Sequence, residues 1–342
     1  MKQNIKSAKC KSLLKCKSLL KYKSLLVCLA VFISVIITSC SNATDSGLDK
    51  IRVHALNGPT AIGLLNLDDK SQYQLTIDSN MDTLLAALNR GDVDIATIPS
   101  NAAAALYNKS KSIKIVDINT FSPLYLIGPK NLESLSFESL SESQIWEKGF
   151  DLQICATGKG AIPELAIDYL SKAYNFERKM SLIDWQTSPA TCVSKLDKDK
   201  NTLSILPEPY ASAALKGGSN LARLSDIGKQ FKAHSSVSII TGVTVASQNF
   251  LSSHSNEISA FLNNHKASIE AFNSNSAAQV GKMQKYAIYG DSVLSVAAPY
   301  MNIAYLDGND MKTQLESLYQ FIGKQSPKLI GSVPDDNIYY IQ

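Results

Sequence analysis

From Ile51 onward, short runs of β-branched and apolar residues alternate with stretches of helical period. This alternation is typical of an α/β fold whose strands are mainly parallel. Asn80 is the expected N-cap of a helix that begins at Met81, and Gly91 is expected to end that helix. In the first half of the chain the pattern predicts strands at 51–56, 74–78, 94–98 and 113–118, and helices at 81–89 and up to about 107.

The second half of the chain repeats this order of elements. The closest local match sets Asp-Ile-Ala-Thr-Ile-Pro at 94–99 beside Thr-Leu-Ser-Ile-Leu-Pro at 202–207, each followed by an alanine-rich helix. Ser188 is the expected cap of a helix in which Pro189 takes the favoured first position. We therefore predict two lobes of like construction, each a mainly parallel sheet flanked by helices. The predicted strands are 152–156, 180–185, 202–206 and 221–224, and the predicted helices are 163–174 and 189–196.

Two further apolar runs, at 119–129 and 238–247, are predicted to connect the lobes. A chain that leaves one lobe, builds a second and returns needs two crossing strands, and such a pair can serve as a hinge. The helical segments that follow are expected to pack largely on the first lobe. The predicted limits are 50–126 and 243–342 for lobe 1 and 127–242 for lobe 2, with C-terminal helices at 255–273, 277–286 and 311–322.

The N-terminal region carries the pattern of a secretory signal. The first 26 residues hold eight lysines and no acid, and the apolar run Leu25–Ile37 that follows is too short to span a bilayer by itself. The ending Ile-Thr-Ser-Cys resembles the lipobox of bacterial lipoproteins, which implies removal of 1–39 as a signal peptide and lipid attachment, such as palmitate, at Cys40. A plain signal peptide or an uncleaved anchor is the alternative. Residues 40–49 are expected to form a flexible, lipid-anchored tether.

Removing the predicted signal changes the charge of the chain. The full chain has 34 basic and 30 acidic residues, and eight of the basic ones lie in the signal, so the mature part has 26 against 30. A mildly acidic body gives no support for nucleic-acid binding. The four histidines show no metal-ligand spacing, and no cofactor is expected. Cys155 and Cys192 remain in the body, where two buried thiols are expected and a disulfide is the alternative.

The candidate ligand contacts lie in the turns that follow the predicted strands, and one lies at the start of the first crossing. In open parallel sheets, ligands bind beyond the carboxyl ends of the strands, where helix N-termini meet. Two glycine turns in corresponding places of facing lobes favour a site between the lobes. The candidates are Gly58, Pro59, Thr60, Ser100, Asn101, Asn119, Thr157, Gly158, Lys159, Gly160, Trp185, Glu208 and Tyr210.

Each candidate also has a structural alternative. A glycine turn taken singly is more often only a tight turn, and Ser100 and Asn101 can serve as helix caps alone. Glu208 could bind a cationic or hydroxylated group or be a solvated acid at a helix start. Trp185 could stack on a flat ligand ring or pack in a core or interface.

Nothing in the sequence recommends an enzyme. The glycine turns match neither a P-loop nor a dinucleotide fingerprint, and no G-x-S-x-G nucleophile elbow is present. No histidine falls in a predicted cleft turn, so no nucleophile has a visible general base.

The runs at 51–60, 89–101, 156–164, 203–210 and 333–340 resemble solute-binding proteins of bacterial ABC importers. The similar branch is the nitrate, sulfonate, taurine and thiamine-precursor group, and the resemblance covers essentially all of 50–342. It implies a two-lobed periplasmic-binding-protein fold of type II, monomeric and lipid-anchored outside the cytoplasm on the cell membrane or the periplasmic side of the outer membrane. It further implies a small-molecule ligand that is not chemically changed, a membrane permease and a cytoplasmic ATPase.

The resemblance does not identify the ligand. Lys159 is the one obvious cation in the predicted turns, which weakens the case for a strongly anionic ligand, and Trp185, Tyr210 and Phe121 favour a ring-bearing one. A lipoprotein of this fold without a transport role, such as an adhesin or receptor partner, is an alternative that a sealed or apolar cleft would favour. A thiamine-pyrimidine synthase is a weaker one, because the mature body lacks the cysteine-rich motif and the histidine of that branch.

Overall fold

The computed structural model describes residues 50–132, 153–175, 183–199, 201–218, 220–285 and 291–342, without the side chains of 291 and 292. Residues Lys50–Gln342 form one compact unit. The predicted signal, Cys40 and the tether lie outside the described residues. Within the described ranges, no helix combines the length and the apolar character needed to cross a membrane.

The first sheet has six strands. They are β1 (Ile51–Leu56), β2 (Tyr73–Asp78), β3 (Ile95–Pro99), β4 (Ile113–Phe121), β10 (Ile240–Ser247) and β11 (Ile303–Leu306). Their order is β11-β4-β10-β3-β1-β2. β1 pairs in parallel with β2 and β3, whereas β10 lies antiparallel between β3 and β4, and β11 pairs antiparallel at the edge. Strands β1 to β4 therefore run in one direction and β10 is the returning strand.

The second sheet has five strands. They are β5 (Leu124–Pro129), β6 (Gln153–Thr157), β7 (Ile183–Gln186), β8 (Thr202–Pro207) and β9 (Leu221–Asp226). Their order is β7-β6-β8-β5-β9, with β6 parallel to β7 and β8, and β5 antiparallel to β8 and β9. This layout repeats β2-β1-β3-β10-β4 strand for strand. The prediction of two like-built lobes is confirmed, and each sheet receives one antiparallel strand from the crossing chain.

Helices flank both sheets. In the described residues they are α1 (Pro59–Ile62), α2 (Met81–Arg90), α3 (Ser100–Ser110), α4 (Ile162–Ala173), α5 (Pro189–Lys198), α6 (Tyr210–Gly217), α7 (Ile227–Ser235), α8 (Gln248–Ser253), α9 (Ser255–Ser274), α10 (Val280–Lys285), α11 (Asp291–Ala297) and α12 (Gly308–Gln325). Alternate strand residues face opposite helix layers, since side chains in a strand alternate in direction. Ile95 packs with buried residues of α9, whereas Ala96 packs with buried residues of α3 and α12.

The expected caps of two helices differ in outcome. The side chain of Asn80 accepts a hydrogen bond from the Thr83 backbone N–H at 2.9 Å, and Gly91 ends α2 in the left-handed region with φ 82°. Both predictions for α2 are confirmed. Ser188 takes the predicted N-cap position of α5 with Pro189 at the first helical position, but the Ser188 side chain makes no capping bond. Instead, the backbone carbonyl of Ser188 accepts from the Thr191 N–H at 3.1 Å.

Cys155 and Cys192 form a disulfide, with their Cα atoms 5.5 Å apart. The expectation of two thiols is wrong. Cys155 lies in β6 between Ile154 and Ala156, which face the opposite layer, so its side chain faces the layer of α5 and α6. Cys192 lies in the first turns of α5 and is fully buried against that face. The packing of α5 on the sheet therefore brings the two sulfur atoms together.

Candidate functional site

A cavity of about 180 Å³ lies where the two sheets meet. We call it the junction cavity. Its lining comes from the turns after β1, β6 and β8, from the ends of β4 and β10, and from the two segments that cross between the sheets. The lining residues are Pro59, Thr60, Thr120, Ser122, Pro123, Leu124, Ile162, Pro163, Ala166, Pro207, Ile239 and Thr241.

The strand directions explain why the cavity lies here. β1, β6 and β8 end at Leu56, Thr157 and Pro207, and their carboxyl ends point to the same junction. In sheets of this kind, ligands bind at that edge. Pro59 and Thr60 from the predicted set line the cavity, and Gly58 precedes them with φ 141°, a backbone conformation that favours glycine.

A larger cavity of about 430 Å³ shares Ser122 and Ile239 with the junction cavity. Its other walls include exposed lysines of α7 together with Asn302 and Gln314 of the first lobe. The strand-to-helix turn after β9, at Asp226 and Gly228, also lines it, whereas helix starts from both lobes, at Thr60 and Pro163, line only the junction cavity. The junction cavity is therefore the better candidate for a site of the kind that the fold places at strand ends.

Gly242 on β10 permits the close packing of the crossing strand beside the cavity. A Cβ at this position would collide with the Asn119 and Thr60 side chains. Thr241, the preceding residue, donates its hydroxyl to the carbonyls of Phe121 and Thr120 at 3.1 and 3.3 Å. These contacts join β10 to the end of β4 at the floor of the junction cavity.

The polar backbone groups of the glycine turn in the second lobe form hydrogen bonds with the turn itself and with the start of α4. The Gly160 backbone N–H donates to the Glu164 carboxylate at 2.6 Å, and the Gly158 carbonyl accepts from Ala161 N–H at 3.1 Å. Thr157 ends β6 and is buried, Lys159 is exposed, and neither lines the junction cavity. The spacing of Glu164 four residues after Gly160 was the sequence signal for this internal bond.

Ser100 and Asn119 are buried and bond within the protein. The Ser100 hydroxyl donates to the Ile240 carbonyl at 2.6 Å. Asn119 accepts from the Thr120 hydroxyl at 2.8 Å and donates to Thr244 at 3.1 Å. Both side chains tie β10 to its neighbours, and neither lines the junction cavity.

Behind Asn119 the buried polar chain continues into the first lobe. Thr244 donates to one oxygen of Asp117 at 2.6 Å, and the ring Nδ1 of His265 lies 2.9 Å from the other oxygen. The His265 and Asp117 side chains have no exposure. A buried charge needs such partners, because an unpaired one is costly. The chain therefore connects Thr120 at the cavity wall with α9.

Glu208 is also committed to an internal contact. Its carboxylate pairs with the Arg223 guanidinium and accepts from the Ser212 N–H and hydroxyl, each at 3.1 Å. Burial raises the pKa of Glu208, and Arg223 and Ser212 oppose that shift. The Glu208 side chain has no exposure, so a ligand group would have to displace Arg223 to reach it.

The remaining candidates stand away from the junction cavity. Trp185 is the third of the four residues of β7 and packs partly buried against the second-lobe core, and Tyr210 packs on the opposite face of the same sheet. Asn101 is half-buried in the first turn of α3. Phe121 lies on the wall of the larger cavity. The aromatic rings that favoured a ring-bearing ligand thus do not line the junction cavity.

Arg223, which sequence reasoning missed, links the two lobes. Its guanidinium carbon lies 4.3 Å from the ring centre of Tyr125 and 3.5 Å from that of Tyr300, and such stacking is attractive. The Tyr125 hydroxyl donates to the Tyr300 carbonyl at 2.9 Å. Tyr300 follows α11 in the C-terminal region, so this contact fastens that region to the second sheet. We call Arg223, Glu208, Ser212, Tyr125 and Tyr300 the arginine cluster.

A second contact between the lobes is aromatic. Phe321 of α12 meets the rings of Tyr169 and Phe231 edge to face, with ring centres 5.0 Å apart in both pairs. Tyr169 lies on α4 and Phe231 on α7, whereas α12 packs on the first sheet. Edge-to-face pairs add to the burial of the rings themselves. Among the described residues, these rings and the stacking on Arg223 thus join the lobes in addition to the crossing strands.

No protein-family model matches the sequence, and no curated protein matches it significantly. Solved structures do match. An ABC transporter protein from Parabacteroides distasonis is 19% identical with a TM-score of 0.71, covering 86% of this chain and 99% of its own. The periplasmic aliphatic sulphonate binding protein SsuA from Escherichia coli is 13% identical with a TM-score of 0.66, covering 86% and 92%.

This chain has the two-lobed fold of periplasmic binding proteins. A third example is the ligand-binding component of an ABC-type import system from Staphylococcus aureus, solved with zinc bound, at 18% identity and a TM-score of 0.63 over 85% of this chain and 96% of its own. In this chain, the described residues contain no group of three or more His, Cys, Asp or Glu side chains placed to hold a metal ion. The likeness at these identities establishes the fold.

Proposed function

We propose that this protein is the solute-binding component of an ABC importer, which captures a small molecule in the junction cavity and delivers it to a membrane permease. The observation that carries the proposal is the composition of the cavity wall. Thr60 belongs to the first lobe, Pro163 to the second, and Ser122 to a crossing segment. A ligand that touches all three binds the closed arrangement better than an open one and shifts the population toward it.

We further propose that the protein works outside the cytoplasm, anchored through lipid on Cys40. The Ile-Thr-Ser-Cys pattern supports the anchor, and the Cys155–Cys192 disulfide supports an oxidising compartment. The limits of the two lobes, a monomeric state, and contact with a cytoplasmic ATPase through the permease belong to the same proposal.

A lipoprotein of this fold without a transport role is the second candidate, and one observation favours it. The wall of the junction cavity is almost wholly apolar, as expected for a cleft that has lost polar ligand contacts. Against it, four prolines and three threonines keep open a space of about 180 Å³ between the lobes. If the cleft no longer bound a ligand, we would expect larger side chains to fill it, because an empty cavity lowers the free energy of unfolding.

The test is a thermal-shift panel on the chain from Ser41, which contains the compact unit. Compounds would include sulfonates, nitrate, taurine, pyrimidine vitamin precursors and neutral one-ring molecules. A ligand at about a hundred times its dissociation constant stabilises the folded state by about 2.7 kcal/mol, which raises Tm visibly. Small-angle scattering on the same samples should show a smaller radius of gyration when the ligand is bound.

The matched variants are Thr60→Trp and Thr313→Trp. Thr60 lines the junction cavity, whereas Thr313 is exposed on α12. We expect the first variant to abolish the ligand-induced shift and the second to retain it. A shift that survives Thr60→Trp would place the ligand elsewhere. Native mass spectrometry that finds no retained molecule, together with no shift by any compound, would favour the second candidate.

A further inference from the structure

Charge and hydrogen-bonding capacity of the junction cavity restrict the ligand further. No charged side chain is found in its lining among the described residues. Four lining positions are prolines, which have no backbone N–H to offer. The wall therefore consists mainly of aliphatic carbon, with four hydroxyl groups from Thr60, Thr120, Ser122 and Thr241.

Three of those hydroxyls already donate their proton to the protein. Thr60 donates to the Leu56 carbonyl at 3.3 Å, and Thr120 donates to the Asn119 side-chain oxygen at 2.8 Å. Thr241 donates to the Phe121 carbonyl at 3.1 Å. A hydroxyl that donates still has oxygen lone pairs to accept with. Almost none of the cavity wall is polar, however, so the cavity meets the carbon atoms of these side chains and not their oxygens.

The positive end of the α4 dipole, which lies beside the cavity, is already balanced by an acidic side chain. α4 begins at Ile162, and the Glu164 carboxylate lies in its first turn and binds the Gly160 N–H at 2.6 Å. A carboxylate at this position complements the positive end of the helix dipole. It would also repel an anion held against Ile162 and Pro163. Burying an anion without a cation or free donors is costly.

We infer that the ligand of this site is an uncharged, mainly apolar molecule of about one ring. This inference rests on the proposed function and narrows its ligand class. Size supports it, because a dry cavity of about 150 Å³ in another protein accepts benzene, and the junction cavity measures about 180 Å³. Nitrate, taurine and sulfonates fall outside the class, since each carries a charge that the wall does not balance.

Three probes of nearly the same shape test the charge and the donor separately. Benzenesulfonamide is neutral and donates, methyl phenyl sulfone is neutral and does not donate, and benzenesulfonate is an anion. We expect calorimetric titration of the chain from Ser41 to give benzenesulfonamide and the sulfone similar affinities, with the sulfonate at least tenfold weaker.

A charge placed in the wall should reverse the preference. Thr60→Lys is expected to raise the affinity ratio of sulfonate to sulfonamide at least tenfold, whereas the neutral variant of similar length, Thr60→Met, should leave the ratio unchanged. A change of the ratio in both variants would show a steric cause and overturn the charge argument.

The outcomes separate this inference from the proposed function. Sulfonate binding as tight as sulfonamide, abolished by Thr60→Trp, would overturn the ligand class and support a solute-binding site. Sulfonamide binding severalfold tighter than sulfone binding would show that a wall hydroxyl accepts from the ligand and would overturn the purely apolar contact. Binding of none of the three probes would overturn the one-ring class, and the broad panel with native mass spectrometry would then decide the proposed function alone.

Discussion

Ser100 and Glu208 hold corresponding positions in the two lobes, each directly after the proline that ends the third strand of its sheet. Both fasten a crossing segment, by different chemistry. The Ser100 hydroxyl binds the Ile240 carbonyl at 2.6 Å, whereas Glu208 uses its backbone N–H to bind the Pro123 carbonyl at 2.8 Å. The Glu208 side chain is then left in the interior, where Arg223 and Ser212 balance its charge.

The difference shows how unequal the two lobes are in what holds them together. The first sheet has six strands and receives long helices such as α9 and α12. Among the described residues the second has five strands, and it adds a disulfide and the buried Arg223–Glu208 pair, whereas the first lobe buries Asp117 beside His265. A smaller unit buries a smaller fraction of its surface, so cross-links contribute relatively more to its stability. Ser100 and Glu208, which the sequence suggests as ligand contacts, instead form these stabilising contacts within the protein.

The largest effect is expected from Arg223→Met. The change leaves the Glu208 carboxylate buried without its cation, which should lower the free energy of unfolding by about 3 to 5 kcal/mol. Urea denaturation measures the loss. The control in the other lobe is Arg52→Met, which breaks a partly exposed pair with Asp94 and should cost about 1 kcal/mol or less. Equal losses in the two variants would contradict the special role of the second-lobe pair.

Adding Glu208→Met to Arg223→Met sharpens the same comparison. Removing both partners leaves no unpaired buried charge, so the double variant should be more stable than Arg223→Met alone. A double variant that loses the sum of the two single losses would show that the charges act independently.

The second-largest loss of stability is expected from removing the disulfide. Replacing both Cys155 and Cys192 by alanine opens a bridge across a sequence separation of 37, and chain-entropy arguments put the loss at about 3 to 4 kcal/mol. Thermal denaturation with and without reductant measures it. Reductant should lower the Tm of the parent chain and leave the double-alanine variant unchanged. A reductant effect of equal size on both would place the sensitivity elsewhere.

A smaller effect is expected from Ser100→Ala in the first lobe. It removes one buried neutral hydrogen bond, which is typically worth about 1 kcal/mol. Urea denaturation should therefore rank this variant well above Arg223→Met in stability. If Ser100→Ala costs as much as Arg223→Met, the contrast between the two anchoring chemistries is wrong.

The smallest effect is expected from Tyr300→Ala. The ring stacks on Arg223 while 42% exposed, and a cation–π contact at such a site is worth about 0.5 to 1 kcal/mol. Tyr300→Phe keeps a ring over the guanidinium and should retain most of that contribution. Scattering should show a larger radius of gyration for the alanine variant without ligand if the contact holds the lobes together, and an unchanged radius would oppose that role.

Sequence patterns predicted the fold well because its elements repeat and obey local rules. β-branched runs such as Ile113–Ile118 and the cap at Asn80 depend on neighbours in the chain, and the like order of two halves reinforced both. β11 was missed because four residues at a sheet edge carry too short a pattern. The disulfide was missed because the contact of Cys155 with Cys192 depends on how α5 packs on β6, which periodicity does not specify.

The candidate site was predicted only in part for a related reason. Of the residues predicted in the strand-end turns, Pro59 and Thr60 line the junction cavity, and their contact with a ligand stays a prediction. The sequence could not show which polar side chains in those turns form hydrogen bonds or ion pairs within the protein. The partners of Ser100 and Glu208 come from β10 and β9, which are distant in the chain. The Gly160–Glu164 bond was missed too, although its spacing of four residues is a local signal that could have indicated it.

A crystal structure of the chain from Ser41 with the compound that gives the largest thermal shift would test the central claim most directly. We predict density for that compound in the junction cavity, between Thr60 of the first lobe and Pro163 of the second. Density confined to the larger cavity beside α7, or to the protein surface with the junction cavity empty, would contradict the account.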